Sequence, residues 1–317
     1  AQHADAKELF DRLNKKFPDA HFKSAYEAGF CGFSAHYALT EQGFENIVVN
    51  AADIPTTGKE KVMKTDAVDS EKIARALKRD ELTAIYVKKK EYMDDTNLLR
   101  LRQRFVKDLS RQKNRLKHLL YTQGVTYPER FTRSASHWSR NFMSWMRDEA
   151  ELLCGGKQTL QLLCDQVDNT RQAVLKVTRE VRSLSTTEKY KVNYDLLRSV
   201  PGFGLILSMT MLTELDNNPE RFPNERSFVA MLGLIPTCHD SGEKVVDGEK
   251  TFRGNKHLGP LIVEASWVAI QKDSALGAYY TKCCQSMKPQ KAIIKVARRL
   301  ACRAYQVLKT KKEYVLS

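Results

Sequence analysis

An α/β domain joined to a mainly α-helical remainder is what this sequence predicts, on three observations. Strands and helices alternate through the first 95 residues. Residues 96–190 hold almost nothing with strand character, and residues 191–317 begin with two helices around a Pro-Gly turn. Such alternation builds a sheet covered by helices, and three parts follow: 1–95, 96–190 and 191–317.

In the first part Leu9, Phe10, Leu13 and Phe17 recur at helical spacing, which predicts a helix over Ala6–Phe17 closed by Pro18. A strand follows at His21–Tyr26, then a helix at Cys31–Gln42 ended by Gly43. Ile47, Val48 and Val49 make a short apolar run, the mark of a buried strand at Asn46–Asn50. Asp66–Arg79 is helical again and Thr83–Val87 is a strand. The chain opens without Met and inside a helical pattern, with no signal-peptide core, so a segment upstream of Ala1 is expected.

The middle part starts with a long amphipathic helix at Leu98–Tyr121. Between Asn97 and His118 it carries eight Lys/Arg against one acid, Asp108. Arg100, Arg104, Lys107, Arg111 and Arg115 make it either a solvated face or a track for a nucleic-acid backbone. Further on, Leu160, Leu163, Val167, Thr170, Val174, Val177, Val181 and Leu184 alternate steps of three and four. That heptad pattern fits a helix in a local bundle and a coiled coil between subunits equally.

The last part opens on Ser199-Val200-Pro201-Gly202-Phe203-Gly204 and an apolar run to Leu215, which reads as helix, tight turn, helix. A turn of this kind can aim N–H groups at a phosphate, through Gly202 and Gly204, or serve packing alone. A loop at 236–256, a helix at Leu258–Gln271 and a basic helix at Lys288–Lys309 complete the chain.

Composition narrows the function. The net charge of +14 favours a polyanionic partner, since Lys and Arg gain by releasing counterions from phosphates. No apolar run has the length of a membrane span. Seven cysteines, without a CxxC pair, argue against a disulfide framework or zinc ribbon and for reduced thiols in a cytosolic protein.

Two groups of residues carry candidate chemistry. Glu27 ends a predicted strand, while Asp66 and Asp69 share a face in the first turn of a helix. Acids there are ordinary capping residues. Gathered from separate elements, they are also the hard ligands that Mg²⁺ needs to clamp phosphodiester oxygens. The second group is the loop Cys238-His239-Asp240-Ser241-Gly242-Glu243-Lys244, followed by Arg253 and Lys256. Ser241 is either a turn residue or a nucleophile. Lys244, Arg253, Lys256, Arg298 and Arg299 are the cations that would stabilise charge on a phosphate beside it.

Tyr26-Glu27-Ala28-Gly29 with Lys64-Thr65-Asp66-Ala67-Val68-Asp69, then Ser199–Gly204, then Phe228–Pro236, Ser241-Gly242 and Thr251–Leu258 stand in one order and spacing. Together these segments resemble the IS110-family transposases over nearly the whole chain. The resemblance implies a RuvC-like, RNase H-fold DEDD domain, a helical coiled-coil linker and a C-terminal transposase domain. It implies that Glu27, Asp66 and Asp69 belong to an Mg²⁺-binding acidic tetrad and that Ser241 is the nucleophile, forming a phosphoserine link to DNA. It further implies a structured bridge RNA as guide, a dimer or tetramer, and a cytoplasmic, nucleoid-associated protein. A related invertase would share the architecture. The family's first Asp, on an early strand, has no counterpart, since Asp5 and Asp11 fall in a helix. A non-catalytic nucleic-acid scaffold and an Mg²⁺-dependent junction nuclease are the rival readings.

Overall fold

Helices dominate the computed structural model, which describes residues 5–56, 65–241, 244–250 and 254–316. From 236 to 250 the description is of backbone alone. The chain divides into two units, Ala1–Lys88 and Lys89–Ser317. The first boundary thus falls at 88 rather than 95, because the long helix already begins at Lys90. The middle and C-terminal parts share the second unit.

In the first unit, α1 (Ala6–Lys16) is capped by Asp5, whose carboxylate accepts from the Lys7 and Glu8 N–H groups. Strands β1 (Lys23–Glu27) and β2 (Glu45–Val49) pair in parallel, with Lys23 opposite Glu45 and Glu27 opposite Val49. Parallel strands need a crossover, which α2 (Ser34–Glu41) supplies. The strand expected at Thr83–Val87 is reduced to one antiparallel bridge between Val49 and Ala84. The Ile85 N–H reaches back to the Val48 carbonyl at 2.8 Å. Helix α3 (Asp66–Lys78) packs on β1. The core is thin. Phe10, Phe22 and Phe44 meet ring to ring, and Val48, Val49, Ile54 and Ala76 are also buried, while α1 and α2 bury no residue completely. The described residues of this unit hold two paired strands and one bridge.

The second unit is built on an antiparallel pair, α4 (Lys90–Thr122) and α6 (Cys154–Ser185). At one end Leu99 of α4 shares a core with Val177 and Val181 of α6. At the other, Leu116 and Leu120 meet Leu160, Cys164 and Val167 under α5 (Arg140–Asp148). The heptad seam is therefore covered by α4 of the same chain, which favours the local bundle over a coil between subunits.

Behind this pair lies the larger core. Helix α8 (Leu205–Glu214) is buried from Leu207 to Glu214, and α7 (Lys191–Arg198), α9 (Glu225–Met231), α10 (Leu258–Lys272), α11 (Ser274–Cys284) and α12 (Pro289–Thr310) pack around it and one another. Tyr305 of α12 stacks on Phe228 at 5.0 Å and donates its hydroxyl to the Phe222 carbonyl. The cysteines with described side chains are free thiols. Burial pushes the Cys164 and Cys302 thiols up to about 11, which keeps them protonated and inert. Among the described residues no helix is long and apolar enough to cross a membrane.

Candidate nucleic-acid interface

The segment expected as a loop at 236–256 contains an antiparallel hairpin of β3 (Pro236–Ser241) and β4 (Lys244–Lys250). Its sequence signal was the pair Val245-Val246 after Ser-Gly. Ser241 and Lys244 are the closing register pair, followed by Asp240 with Val245 and His239 with Val246. Gly242 and Arg253 lie outside the described residues, as do the side chains of Ser241 and Lys244.

The root of the hairpin is fixed by close backbone approach. A Cβ on Gly254 would stand 2.4 Å from the Gly233 Cα, and one on Gly259 2.6 Å from the Leu232 carbonyl oxygen. The Asn255 N–H donates to the Met231 carbonyl at 2.7 Å, and the Asn255 side chain accepts from the His257 and Leu258 N–H groups at 2.9 Å. Gly254 and Asn255 of the family-like segment are thus accounted for by packing and by capping α10.

That root touches α4. The His257 imidazole donates through Nδ1 to Gln103 Oε1 at 2.6 Å. Burial lowers its pKa from the usual histidine value. Arg100, Lys107 and Arg104 push the same way, and Glu214 opposes. Arg100 heads the basic row but is paired with the buried Glu214 at 3.1 Å, which makes it a strut as well as a surface charge. Arg104, Lys107, Arg111 and Arg115 follow at steps of three and four on the exposed face. Arg111 pairs with Asp108, and among the described residues no acid pairs with Arg104, Lys107 or Arg115. Three further cations of α4 are engaged elsewhere: Arg102 donates to Thr178 of α6, and Lys113 and Lys117 lie over the Trp138 ring. The row that sequence spacing singled out is exposed at Arg104, Lys107, Arg111 and Arg115. Spacing missed His257 and Gln103, which tie that row to the hairpin root.

The turn at Pro201–Gly204 is anchored from behind. Gly202 has φ +84°, and a Cβ there would meet the Ala265 carbonyl oxygen at 2.4 Å. Gly202 is accounted for by packing on α10. Gly204 caps α8 without a side-chain hydrogen bond. Lys256, Arg298 and Arg299 are exposed, and the Arg299 guanidinium lies 3.4 Å from the centre of the Tyr279 ring.

The acids stand apart from this interface in the sequence and belong to the first unit. Glu27 is exposed at the end of β1, and Asp66 is exposed in the first turn of α3, whose N-terminus is capped by Thr65. Asp69 is held by Lys72 at 3.0 Å. Their oxygens suit Mg²⁺. Among the described residues, however, no three acids, histidines or cysteines come together as metal ligands.

Residues 194–281 match the IS116/IS110/IS902 transposase family model, and residues 2–123 match a second transposase model, the IS110 DEDD type. The chain is similar to the putative transposase y4qE of Sinorhizobium fredii, with 26% identity over 84% of this chain and 63% of the relative. It is similar to y4rJ of the same species at 27% identity, over 86% of this chain and 74% of the relative. The transposase for insertion sequence element IS1111A of Coxiella burnetii is 27% identical over 64% of this chain and 54% of its own length. The chain thus spans between half and three quarters of these relatives.

Proposed function

Because the chain belongs to the IS110 family of transposases, we propose that it cleaves and rejoins DNA strands through Ser241. The observation that carries this reading is the backbone placement of Ser241. It sits at the closing pair of a hairpin whose root is clamped beside a row of exposed cations. A six-residue strand extends roughly 20 Å, long enough for the nucleophile to stand apart from the row. Arg104, Lys107, Arg111 and Arg115 would then hold a nucleic-acid backbone while Ser241 meets a phosphate elsewhere along it.

In the proposed step the Ser241 Oγ attacks phosphorus, one P–O bond to a deoxyribose breaks, and the serine proton ends on the departing sugar oxygen. A phosphoserine ester to DNA results. Attack by a hydroxyl from another strand reverses these changes and restores the serine. A serine hydroxyl needs help to attack, and His239, Asp240, Lys244, Lys256 and Arg253 are the nearby sequence candidates. Backbone contacts position but do not read bases, which leaves sequence choice to the structured guide RNA that the family resemblance implies. Mg²⁺ on Glu27, Asp66 and Asp69, the RNase H-like fold, the three-part division and a homo-oligomer remain expectations of that resemblance. The DEDD match supports a divalent ion in general.

The test is Ser241→Ala with end-labelled element DNA and its RNA. The parent chain is expected to give a detergent-resistant protein–DNA adduct and the variant none. An adduct of undiminished yield would remove Ser241 from the mechanism. Cutting without linkage by the parent chain would favour the junction nuclease, and binding with neither would favour the scaffold.

A further inference from the structure

A concave groove of about 810 Å³ runs along α12, between α11 and the C-terminal residues that follow Thr310. Its charge is mainly positive. Lys295, Arg298, Arg299 and Lys312 line it and are exposed, and among the described residues no carboxylate forms an ion pair with any of them. Two acids share the groove: Glu225, which accepts from Gln306, and the exposed Glu313. Arg303 does not count toward a ligand, because the fully buried Asp273 takes it at 3.1 Å.

The groove is also built. Tyr314 on the C-terminal side donates its hydroxyl to Asp273 at 2.5 Å and its N–H donates to Ser199 Oγ at 2.8 Å, while Arg303 donates to the Tyr314 hydroxyl. These bonds hold the chain end over α12. On the opposite side the Tyr279 ring backs the Arg299 guanidinium, so that side chain is held as a flat plate with one face covered.

A convex duplex meets a protein mainly through phosphates on its outside. A concave, cationic groove with a planar stacking surface suits unpaired nucleotides, whose bases stack on aromatic rings or guanidinium planes. We propose that this groove is a binding site for a single-stranded segment of nucleic acid. Lys295, Arg298 and Lys312 take successive phosphates, and the Arg299–Tyr279 pair takes a base. The proposal rests on the transposase reading for the presence of nucleic acid and adds a second site, distinct from the row on α4, with a different strand preference.

The shared ligand chemistry is an unpaired phosphodiester strand, which DNA or RNA can supply. The test uses the full chain and fluorescence anisotropy with three labelled probes: a 12-mer oligothymidylate, a 12-mer oligouridylate and a 20-base-pair duplex. The variants are Arg298→Gln with Arg299→Gln, Tyr279→Ala, and Arg104→Gln with Lys107→Gln, each checked for an unchanged melting temperature. The arginine pair in the groove is expected to weaken one or both single-stranded probes at least tenfold and the duplex less than twofold. It is also expected to flatten the single-strand salt dependence, by about 1.4 in logarithmic slope. Tyr279→Ala is expected to weaken single strands about fivefold, and Tyr279→Phe, which keeps the ring under Arg299, to restore them. The α4 pair should do the reverse and weaken the duplex. Equal losses on single strands and duplex, or no loss from the groove variants, overturns the proposal. Loss of adducts in Ser241→Ala is scored separately and is unaffected by either result. A stronger effect on thymidylate than on uridylate names DNA as the source, and the opposite names RNA.

Discussion

The two units differ most in depth. In the first, α2 lies on a two-stranded sheet, α1 packs on α2, neither buries a residue completely, and three phenylalanine rings meet beside them. In the second, α8 has eight consecutive residues out of solvent and α12 contributes ten buried positions. Side chains in a deep core are packed on all sides, so a deletion leaves a cavity that neighbours cannot fill. In a thin layer the surroundings relax. The acids proposed for chemistry stand on the thin unit and the proposed nucleophile hairpin is rooted in the deep one, so the difference bears on which side of the chemistry has to be held in place by a partner.

The largest expected effect breaks or confirms that contrast directly. Phe228→Ala, at a ring wholly buried against Tyr305, should cost about 3–5 kcal/mol, whereas Phe44→Ala in the first unit should cost about 2 kcal/mol. All three tryptophans, Trp138, Trp145 and Trp267, lie in the second unit, so fluorescence-detected urea unfolding reports it alone. Phe228→Ala should lower the fluorescence midpoint. Phe44→Ala should leave it in place and change only the circular dichroism transition. A matching fall in both midpoints for Phe44→Ala would mean that the units unfold as one and that the contrast has no energetic content.

A smaller effect separates two kinds of glycine. Gly32 in the first unit has φ +56° and open space around it, so Gly32→Ala should cost only the left-handed backbone penalty, about 1 kcal/mol. Gly202 in the second has φ +84° and a carbonyl oxygen where a Cβ would go. Gly202→Ala adds overpacking to the same penalty, for a total of about 3 kcal/mol. Comparable melting temperatures for the two variants would show that α10 can move away from the turn.

The same contrast explains what the sequence made legible. Helix ends in the second unit were readable to within a residue or two at α10 and α12, because long apolar periods leave little freedom. The heptad seam of α6 was readable as a stripe, but periodicity does not say what covers it, and α4 does so here. Gly202 was readable as a turn residue. Its close approach to Ala265 depends on two segments more than sixty residues apart. The hairpin at 236–250 was missed because its strands are mostly polar and short, with only Val245-Val246 to mark them. In the first unit the run at Thr83–Val87 has strand-like residues, yet pairing depends on how much of β2 remains alongside, which composition does not encode. Where the family resemblance singled out Glu27, Asp66 and Asp69, it supplied roles, and the described geometry places them on β1 and α3 without assembling them.

The smallest effect uses His257, where the deep core reaches the basic row. Its folded pKa lies below the unfolded histidine value, by burial first and then by Arg100, Lys107 and Arg104. The unfolded chain therefore binds more protons. This group's contribution to stability is complete above about pH 6.5 and is lost as pH falls through the lower folded pKa. A polyanion seated on Arg104 and Lys107 offsets their charge, moves the imidazole back up and makes binding take up protons. Duplex affinity should then tighten by about twofold between pH 7.5 and 5.5, and His257→Asn, which keeps a donor toward Gln103, should lose that increment. The resonance of the His257 ring, followed by nitrogen-detected titration with and without duplex, should move to higher pH on binding. An unchanged His257 titration would place the duplex away from the head of α4, and the cations there would be left with the role of steadying Glu214 and the hairpin root.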